Sequence, residues 1–294
     1  MGKIRIVTDS TGDLTLNELK QNQIELLPDI INFEHGSYRE LEELSVAQFY
    51  QYLSEAQTLP TTAMPSPGDM QEKFKAILSQ GDDIMAYFIS REMSGTMHAA
   101  QIVAKSFEHD RITIVESGSV SLSLGFMVRM AAKAATQGRS RAEILSLTDY
   151  IKNNFKFYFV VDSLESLRKG GRIGKATAFL GTMLNIRPLL EIKDGMVCPV
   201  ERIRGKSKAV DAMVSLVDQH IKEQASTNYK VILGYTGFYD DFASYKADIL
   251  EKLQLTEAEV SIVAIGAAVG THAGANAIAL GFMPWPDEFA AMVN

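Results

Sequence analysis

The stretch Ile84-Met-Ala-Tyr-Phe-Ile-Ser-Arg-Glu-Met-Ser-Gly-Thr96 decides the fold. Residues 84–89 form an apolar run that predicts a buried strand, and residues 97–105 predict a helix. Ser94, Gly95 and Thr96 therefore lie where a strand leads into a helix. Because the backbone N–H groups at a helix N-terminus are unpaired and carry a partial positive charge, they favour a bound anion. The sequence thus predicts an anion-binding turn.

Strands and helices alternate on both sides of this turn. Strands are predicted at residues 4–8, 25–31, 84–89 and 111–115, and helices at 14–21, from Ser45, from Pro67 and at 126–136. Ser45 and Ser140 each begin a capping box, with Gln48 and Glu143 three residues later. This alternation predicts an α/β fold with a mostly parallel N-terminal sheet flanked by helices.

The pattern changes near residue 156. A strand at 157–161 is followed by a basic, glycine-rich segment and a short apolar helix at 176–184. Asp194-Gly195 lies between two short apolar runs and predicts a hairpin. Further helices at 207–224 and 240–253 and strands at 229–234 and 260–265 predict an α+β domain. We therefore expect an N-terminal domain of residues 1–155 and a C-terminal domain of residues 156–294.

Composition excludes several classes of protein. The chain has 294 residues, 46% of them hydrophobic and 22% charged, with a net charge of −7 that argues against a general nucleic-acid binder. A single cysteine, Cys198, fits a reducing cytoplasm, and the N-terminus shows no secretory signal pattern. No run approaches eighteen apolar residues, so we expect no stable membrane insertion. The five histidines and one cysteine have no metal-site spacing.

Several polar residues outside the turn are candidates for chemistry. Thr61 and Thr62 lie on a proline-rich loop, where they either bind a ligand or satisfy the local backbone. His272 follows the last predicted strand, at a turn where a lone histidine is more often structural. The chain lacks the Gly-x-Ser-x-Gly elbow of a serine hydrolase, but Ser94, His272 and an acid converging in space stay possible.

The first predicted strand is followed by Thr8-Asp-Ser-Thr-Gly-Asp13, which lacks the spacing of a nucleotide-binding loop. We interpret Asp9 and Ser10 as fixing this turn, and Thr11 or Asp13 as capping the next helix.

Basic residues are concentrated in two places in the C-terminal half. The clusters contain Arg168, Lys169, Arg172 and Lys175, and Arg202, Arg204, Lys206 and Lys208. In an acidic chain they indicate either a docking face or phosphate contact, or ordinary solvated charge.

Six motifs carry a resemblance to a known family. They are Thr8-Asp-Ser-Thr-Gly-Asp-Leu14, Thr61-Thr-Ala-Met-Pro-Ser-Pro67, Ser90-Arg-Glu-Met-Ser-Gly-Thr96, Leu167-Arg-Lys-Gly-Gly-Arg-Ile-Gly174, Arg202-Ile-Arg-Gly-Lys-Ser-Lys-Ala209 and His272-Ala-Gly-Ala-Asn-Ala277. Each is weak alone, but their order and spacing are specific. The chain resembles the DegV family over essentially its whole length, and in particular the fatty-acid-binding subunits of bacterial fatty acid kinase.

The resemblance implies the two-domain DegV-like (EDD) fold, with a long-chain fatty acid in a tunnel that the C-terminal domain closes, and no cofactor. Ser94, in the turn with Gly95 and Thr96, would donate to the carboxylate together with Thr61 or Thr62, and His272 would complete the network.

A separate ATP-dependent kinase subunit would phosphorylate the bound carboxylate, and the acyl phosphate would enter phospholipid synthesis. Arg172, Arg202, Arg204 and Lys206 would dock that subunit or contact the new phosphate. The chain would then be a substrate-presenting subunit and no enzyme by itself. The alternatives are a lipid-sensing regulator without a kinase partner, and an autonomous acyl hydrolase or transferase that uses Ser94 and His272.

Overall fold

We describe a computed structural model of the chain, which covers residues 2–107, 110–180, 186–223 and 228–293. It contains a parallel sheet flanked by helices and a separate mixed sheet, so the predicted α/β fold class is confirmed. A third, small antiparallel sheet is formed by three short strands of the N-terminal half. Within these ranges no helix combines the length and apolar character needed to span a bilayer.

The first sheet is the parallel one and has four strands. In spatial order they are β2 (Ile24–Leu27), β1 (Ile4–Asp9), β6 (Asp83–Phe88) and β7 (Ile112–Glu116). The central strands β1 and β6 are almost fully buried, as expected where helices cover both faces of a parallel sheet.

The second sheet is mixed and has six strands. In spatial order they are β10 (Met196–Arg204), β9 (Ile186–Lys193), β8 (Lys156–Val160), β13 (Ile278–Pro284), β11 (Tyr229–Tyr235) and β12 (Val260–Ala264). Strands β9 and β10 form the hairpin predicted at Asp194-Gly195. Strand β13 was not predicted from the sequence, and it lies between β8 and β11.

The third sheet contains β4 (Gly36–Arg39), β3 (Ile30–Phe33) and β5 (Thr61–Ala63). The sequence predicted one strand over 25–31, but Pro28 separates β2 from β3, since proline has no N–H to donate to a strand ladder. Thr61 and Thr62, expected on a loop, form part of β5.

The helices connect the strands and cover the sheets. They are α1 (Leu16–Gln21), α2 (Val46–Glu55), α3 (Pro67–Ser79), α4 (Thr96–Ala104), α5 (Ser121–Thr136), α6 (Arg141–Asn154), α7 (Glu165–Lys169), α8 (Lys206–Glu223), α9 (Tyr239–Leu253), α10 (Ala267–Ala273) and α11 (Asp287–Val293). The capping boxes predicted at Ser45 and Ser140 are confirmed, but Thr15, and not Thr11 or Asp13, caps α1.

Three helix predictions need correction or lie partly outside the described residues. Helix α5 begins at Ser121 and not at 126, and Ser121 and Ser123 in its first turn are buried. A 3₁₀ helix at Gly174–Phe179 replaces the first part of the helix predicted at 176–184, and residues 181–184, which include the apolar Met183 and Leu184, lie outside the described residues. His272 lies in α10 and not at a turn.

One hydrophobic core joins the parallel and the mixed sheets. Helices α5 and α6 contribute Leu124 and Ile151 to a buried cluster that also contains Met85 of β6, Phe159 of β8 and Ile232 of β11. The division into two domains at residue 155 stays a prediction.

Candidate functional site

An apolar cavity of about 100 Å³ lies between the carboxyl ends of β1 and β6 and one face of the mixed sheet. Most of its lining is apolar and comes from Met64, Ile89, Met93, Val120, Phe157, Phe159, Leu167, Ile192, Val197, Ile265, Ala268, Val269, Ala273, Ala277 and Ala279. Its polar lining consists of Thr11, Asp29, Thr62, Ser94, Ser121, Arg172 and His272. The cavity thus offers apolar walls and a small set of polar groups, the combination typical of a small-molecule site.

Thr62 and His272 form a hydrogen-bonded pair in the cavity wall. The hydroxyl Oγ1 of Thr62 lies 3.0 Å from Nε2 of His272, which places residues from β5 and α10 in contact. Nδ1 of His272 is buried and has no hydrogen-bond partner among the described residues. Gly170 leaves room for this ring, because a Cβ there would lie 2.1 Å from Nδ1. Burial, with the nearby positive charge of Arg172, lowers the pKa of His272 to about 4. The imidazole is therefore neutral at physiological pH.

The turn between β6 and α4 presents Ser94 to the same cavity. Its Oγ lies 2.8 Å from Oγ1 of Thr96 and accepts a hydrogen bond from the N–H of Thr96 at 3.3 Å. The strand-turn-helix predicted for this segment is confirmed. Gly95 and Thr96 do not line the cavity. Of the three residues Ser94, Gly95 and Thr96, only Ser94 thus borders the space for a ligand.

A surface groove of about 500 Å³ adjoins the cavity. Thr61, Lys169 and Gly170 contribute to its lining, and Thr62, Arg172 and His272 line both groove and cavity. These three shared residues stand between the interior and the surface. Thr61 therefore lines the groove alone, whereas Thr62 lines both the groove and the cavity.

The four predicted basic residues occupy different places. Arg172 reaches the cavity, with Nε donating to the carbonyl of Met93 at 3.0 Å and one Nη donating to the carbonyl of Gly170 at 2.6 Å. Lys206 is half-buried and donates to the carbonyl of Asn276 at 2.6 Å. Neither it nor the other two basic residues line the cavity.

Arg202 and Arg204 lie on β10. The guanidinium of Arg202 donates to the carbonyl of Ala178 and lies 4.7 Å from the ring centroid of Phe179. Arg204 is exposed. Of these four basic residues, Arg172 therefore lines the cavity. The other three lie outside it.

Helix α10, which carries His272, is held at its N-terminus by buried carboxyl groups. Oε1 and Oε2 of Glu40 accept hydrogen bonds from the N–H groups of Ala267 and Ala268, the latter at 3.1 Å. Oδ1 of Asp13 accepts from the N–H of Gly266 at 2.8 Å. The positive end of a helix dipole favours these acceptors. The small β4-β3-β5 sheet thus fixes both members of the Thr62–His272 pair, because β5 carries Thr62 and Glu40 follows β4.

The same region contains two further buried acids, Asp9 and Asp29. Asp9 accepts hydrogen bonds from the N–H groups of Thr11 and Ile89, each at 3.1 Å, so its predicted role in fixing the turn is confirmed. Oδ2 of Asp29 accepts from Oγ of Ser10 at 2.9 Å.

Burial raises the pKa of all four carboxyls. The pKa rises to about 6 for Asp9, about 7 for Asp13 and about 8 for Glu40, and it lies well above the usual value for Asp29. Sequence reasoning missed Asp29 and Glu40 as members of the site. The available signal was an acid inside the apolar stretch Leu26-Leu-Pro-Asp-Ile-Ile31.

The arrangement gives little support to a serine hydrolase. His272 is hydrogen-bonded to Thr62, and Ser94 to Thr96, so the nucleophile and base are not paired with each other in this structure. No carboxylate among the described residues contacts Nδ1 of His272 to orient it. Within the same ranges no group of three or more histidine, cysteine or acidic side chains is placed to hold a metal ion. Apart from Arg172, the polar groups in the lining are hydroxyls, a neutral imidazole and one carboxyl whose pKa burial raises.

Comparisons with known proteins identify relatives of this chain that match it over nearly its whole length. The curated DegV domain-containing proteins of Deinococcus radiodurans and Streptococcus pneumoniae are 32% and 33% identical to this chain over 281 and 285 residues, covering 96% and 95% of this chain and 98% of each relative. A solved DegV family protein from Thermus thermophilus, described as fatty acid binding, superposes with a TM-score of 0.87 at 30% identity, over 96% of this chain and 100% of its own.

A second solved structure, DegV from Bacillus subtilis, is described as a fatty acid binding protein. It superposes with a TM-score of 0.85 at 26% identity, over 97% of this chain and 100% of its own. Residues 3–284 also match the family described as "Uncharacterised protein, DegV family". The chain therefore belongs to the DegV family.

Proposed function

We propose that this protein binds one long-chain fatty acid, with the carboxylate beside Ser94, Thr62 and His272 and the acyl chain in the apolar cavity, which must widen from about 100 Å³ to hold the whole chain. The observation that carries the proposal is that Ser94, Thr62 and His272, three neutral hydrogen-bonding side chains, line one cavity whose walls are mostly apolar. The description of the relatives from Thermus thermophilus and Bacillus subtilis as fatty acid binding supports the same ligand class.

Burial of the acyl chain would supply most of the affinity. A sixteen-carbon chain has about fourteen methylenes, each worth about 0.8 kcal/mol on burial, or roughly 11 kcal/mol in total. The loss of translational freedom and the desolvation of the carboxylate reduce this figure. The polar groups then need only to satisfy and orient the carboxylate, and the proposal requires no cofactor.

Neutral donors also leave the carboxylate reactive. A bidentate arginine would hold the carboxylate more firmly and lower its electron density. In this site the guanidinium of Arg172 already donates to two backbone carbonyls, and His272 is neutral. The bound carboxylate therefore stays a nucleophile.

We further propose that the chain presents this carboxylate to a separate ATP-dependent kinase subunit in the cytoplasm. A carboxylate oxygen would attack the γ-phosphorus of ATP, ADP would leave, and the product would be an acyl phosphate available for phospholipid synthesis. The groove beside Thr62, Arg172 and His272 gives a partner access to the head group. Arg172 would contact the transferred phosphate, and Arg202, Arg204 and Lys206 would dock the partner.

The ligand is tested by extracting purified protein under denaturing conditions and identifying the released molecules by mass spectrometry. We expect about one equivalent of long-chain fatty acid per chain. A protein that is empty and also fails to take up added oleate or palmitate contradicts the proposal.

The partner is tested with the fatty-acid-loaded protein as bait in a native lysate, followed by transfer of labelled phosphate from ATP to the bound acid. We expect an ATP-binding kinase to be captured and acyl phosphate to form, with Arg202→Ala lowering the rate without loss of lipid. Lipid binding with no phosphorylation favours a lipid sensor. Turnover of acyl esters by the protein alone favours an autonomous enzyme.

A further inference from the structure

Among the described residues that line the cavity, Asp29 is the one carboxyl group, and neither the sequence motifs nor the proposed function uses it. It is 5% exposed and directly precedes β3. Its Oδ2 accepts a hydrogen bond from Oγ of Ser10 at 2.9 Å, and its N–H donates to the same oxygen at 3.0 Å. Oδ1 forms no hydrogen bond with any described residue. The side chain is thus anchored by one oxygen, with the other available on the cavity side.

The small sheet places Asp29 close to the proposed head-group residues. Ile31 of β3 pairs with Thr62 of β5 in an antiparallel ladder, and Asp29 stands two residues before Ile31. Residues two apart share one face of a strand, and such diagonal neighbours lie about 7–8 Å apart. A carboxylate that accepts a hydrogen bond of about 2.7 Å on each oxygen spans this separation.

The surroundings of Asp29 disfavour a negative charge on its side chain. A buried carboxylate is costly unless it is paired or fully hydrogen-bonded. The cation in the lining, Arg172, already donates to two carbonyls, and no lysine or arginine among the described residues pairs with Asp29. The charged neighbours of Asp29 are the acids Asp9 and Glu40, which with burial raise its pKa well above the usual value. Burial and these neighbouring acids thus favour the neutral carboxylic acid, which can donate a hydrogen bond.

We propose that Asp29 is a head-group residue whose carboxylic acid donates a hydrogen bond from Oδ1 to the carboxylate of the bound fatty acid, so that the complex holds one proton between two carboxyl groups. This inference rests on the proposed fatty-acid function and adds a specific donor to it. It also makes binding a protonation-dependent event, because an ionised Asp29 would repel the ligand where a protonated one holds it.

Other titratable groups surround Asp29 and need to be separated from it. Asp9, Asp13 and Glu40 belong to the same buried region, and His272 and Arg172 line the same cavity. The pKa of His272 lies near 4, so this side chain does not change charge above neutral pH. The three acids do titrate, so the pH dependence of the wild type alone is not diagnostic. The assignment to Asp29 comes from its own variants.

The experiment measures the affinity of delipidated full-length protein for dodecanoate, a fatty acid soluble as a monomer, by calorimetry between pH about 6 and about 10. Asp29→Asn keeps a neutral donor at every pH and should bind within about twofold of the wild type at neutral pH. Asp29→Ala has no donor and should bind about tenfold more weakly. Above the pKa of Asp29 the affinity of the wild type should fall by up to tenfold per pH unit, while that of Asp29→Asn should fall less steeply.

Controls keep the result interpretable. Asp240→Asn, at an exposed position on α9, should follow the wild-type pH profile. Equal affinity of the Asn and Ala variants, or the same pH slope in wild type and Asp29→Asn, would overturn this inference and leave the fatty-acid function standing.

If the Asn variant does not fold, proton uptake by the wild type on binding decides. Its binding enthalpy in two buffers of different ionisation enthalpy should show net uptake above the pKa of Asp29, and no uptake up to pH about 10 overturns the inference. A wild type that binds no fatty acid at any pH overturns both proposals.

Discussion

Helices α4 and α10 both begin at the cavity, but their N-termini are treated in opposite ways. The N-terminus of α10 is bound by Glu40 and Asp13, which lie 227 and 253 residues away from their partners along the chain. The N-terminus of α4 has no side-chain cap on Gly95 and no acid in its first turn. Ser94, just before α4, instead faces the apolar cavity. The helix end that positions His272 is thus bound by buried carboxyl groups, whereas the one beside the proposed ligand has no acid on it.

The largest expected effect is the loss of stability in Glu40→Ala, which removes the carboxyl group from the N-terminus of α10. The change leaves the N–H groups of Ala267 and Ala268 buried without acceptors and opens a cavity, because Glu40 is 1% exposed. We expect the free energy of unfolding to fall by about 3–5 kcal/mol. Denaturant unfolding measures this effect. Glu42→Ala, at a neighbouring half-exposed position, is the matched control and should change stability by less than about 1 kcal/mol. A small loss in Glu40→Ala would mean that α10 does not depend on its acidic cap.

The second prediction concerns the pH dependence of the α10 side. The pKa values of Asp13 and Glu40 are raised to about 7 and about 8, above their unfolded values. The folded protein therefore binds more protons than the unfolded chain, and stability falls as pH rises from about 4 through these folded values. The pKa values of Glu18 and Glu25 are lowered, which acts oppositely but only below pH about 4.5.

Asp13→Asn should flatten this decline, because an amide accepts from the N–H of Gly266 without titrating. We expect Asp13 to account for a loss of free energy of unfolding on the order of 2–4 kcal/mol as the pH rises from about 5 to about 8.5. Denaturant unfolding at several pH values between about 5 and about 8.5 measures the slope. An identical slope in the variant would show that Asp13 does not hold a proton in the folded state.

The two helix ends also differ in how far the sequence could predict them. The turn at Ser94 follows from an apolar run and a helical pattern that are contiguous in the chain. Helix α10 is only seven residues long and contains Gly270, so its local sequence reads as a turn. It is stabilised by Asp13 and Glu40, whose proximity is set by the packing of three sheets. The local pattern therefore identified the helix end beside the cavity, and missed the helix that depends on carboxyl groups remote in the sequence.

The third prediction breaks the α4 side with Ser94→Ala. Loss of the hydroxyl should weaken fatty-acid binding about tenfold, because one donor to the carboxylate is removed while the apolar cavity stays. Ser106→Ala is the matched control beyond the other end of the helix, where Oγ donates to the carbonyl of Val103 at 2.6 Å. Affinity is measured with the same fatty acid for both variants. Equal affinities would show that the carboxylate does not contact this turn.

The smallest expected effect is on the pKa of His272, near the other end of α10, and it distinguishes Arg172 from Arg202. Burial is the main cause of the low pKa of His272, and the charge of Arg172 adds to it. Arg172→Ala should therefore raise this pKa from about 4 while leaving it below the ordinary value of 6.5. Arg202→Ala should leave it unchanged, since that guanidinium contacts the carbonyl of Ala178 and the ring of Phe179.

An NMR titration of the imidazole measures both changes, with the resonance of His272 assigned from the spectrum of His272→Gln. Arg172 lines the cavity and acts on His272 through space, whereas Arg202 lies outside the cavity. The comparison therefore separates the electrostatic effect of a charge inside the site from that of a charge on the surface. A shift of His272 in Arg202→Ala as large as in Arg172→Ala would place Arg202 at the site. It would then remove the distinction between an arginine that tunes the head-group residues and one that is available to a partner.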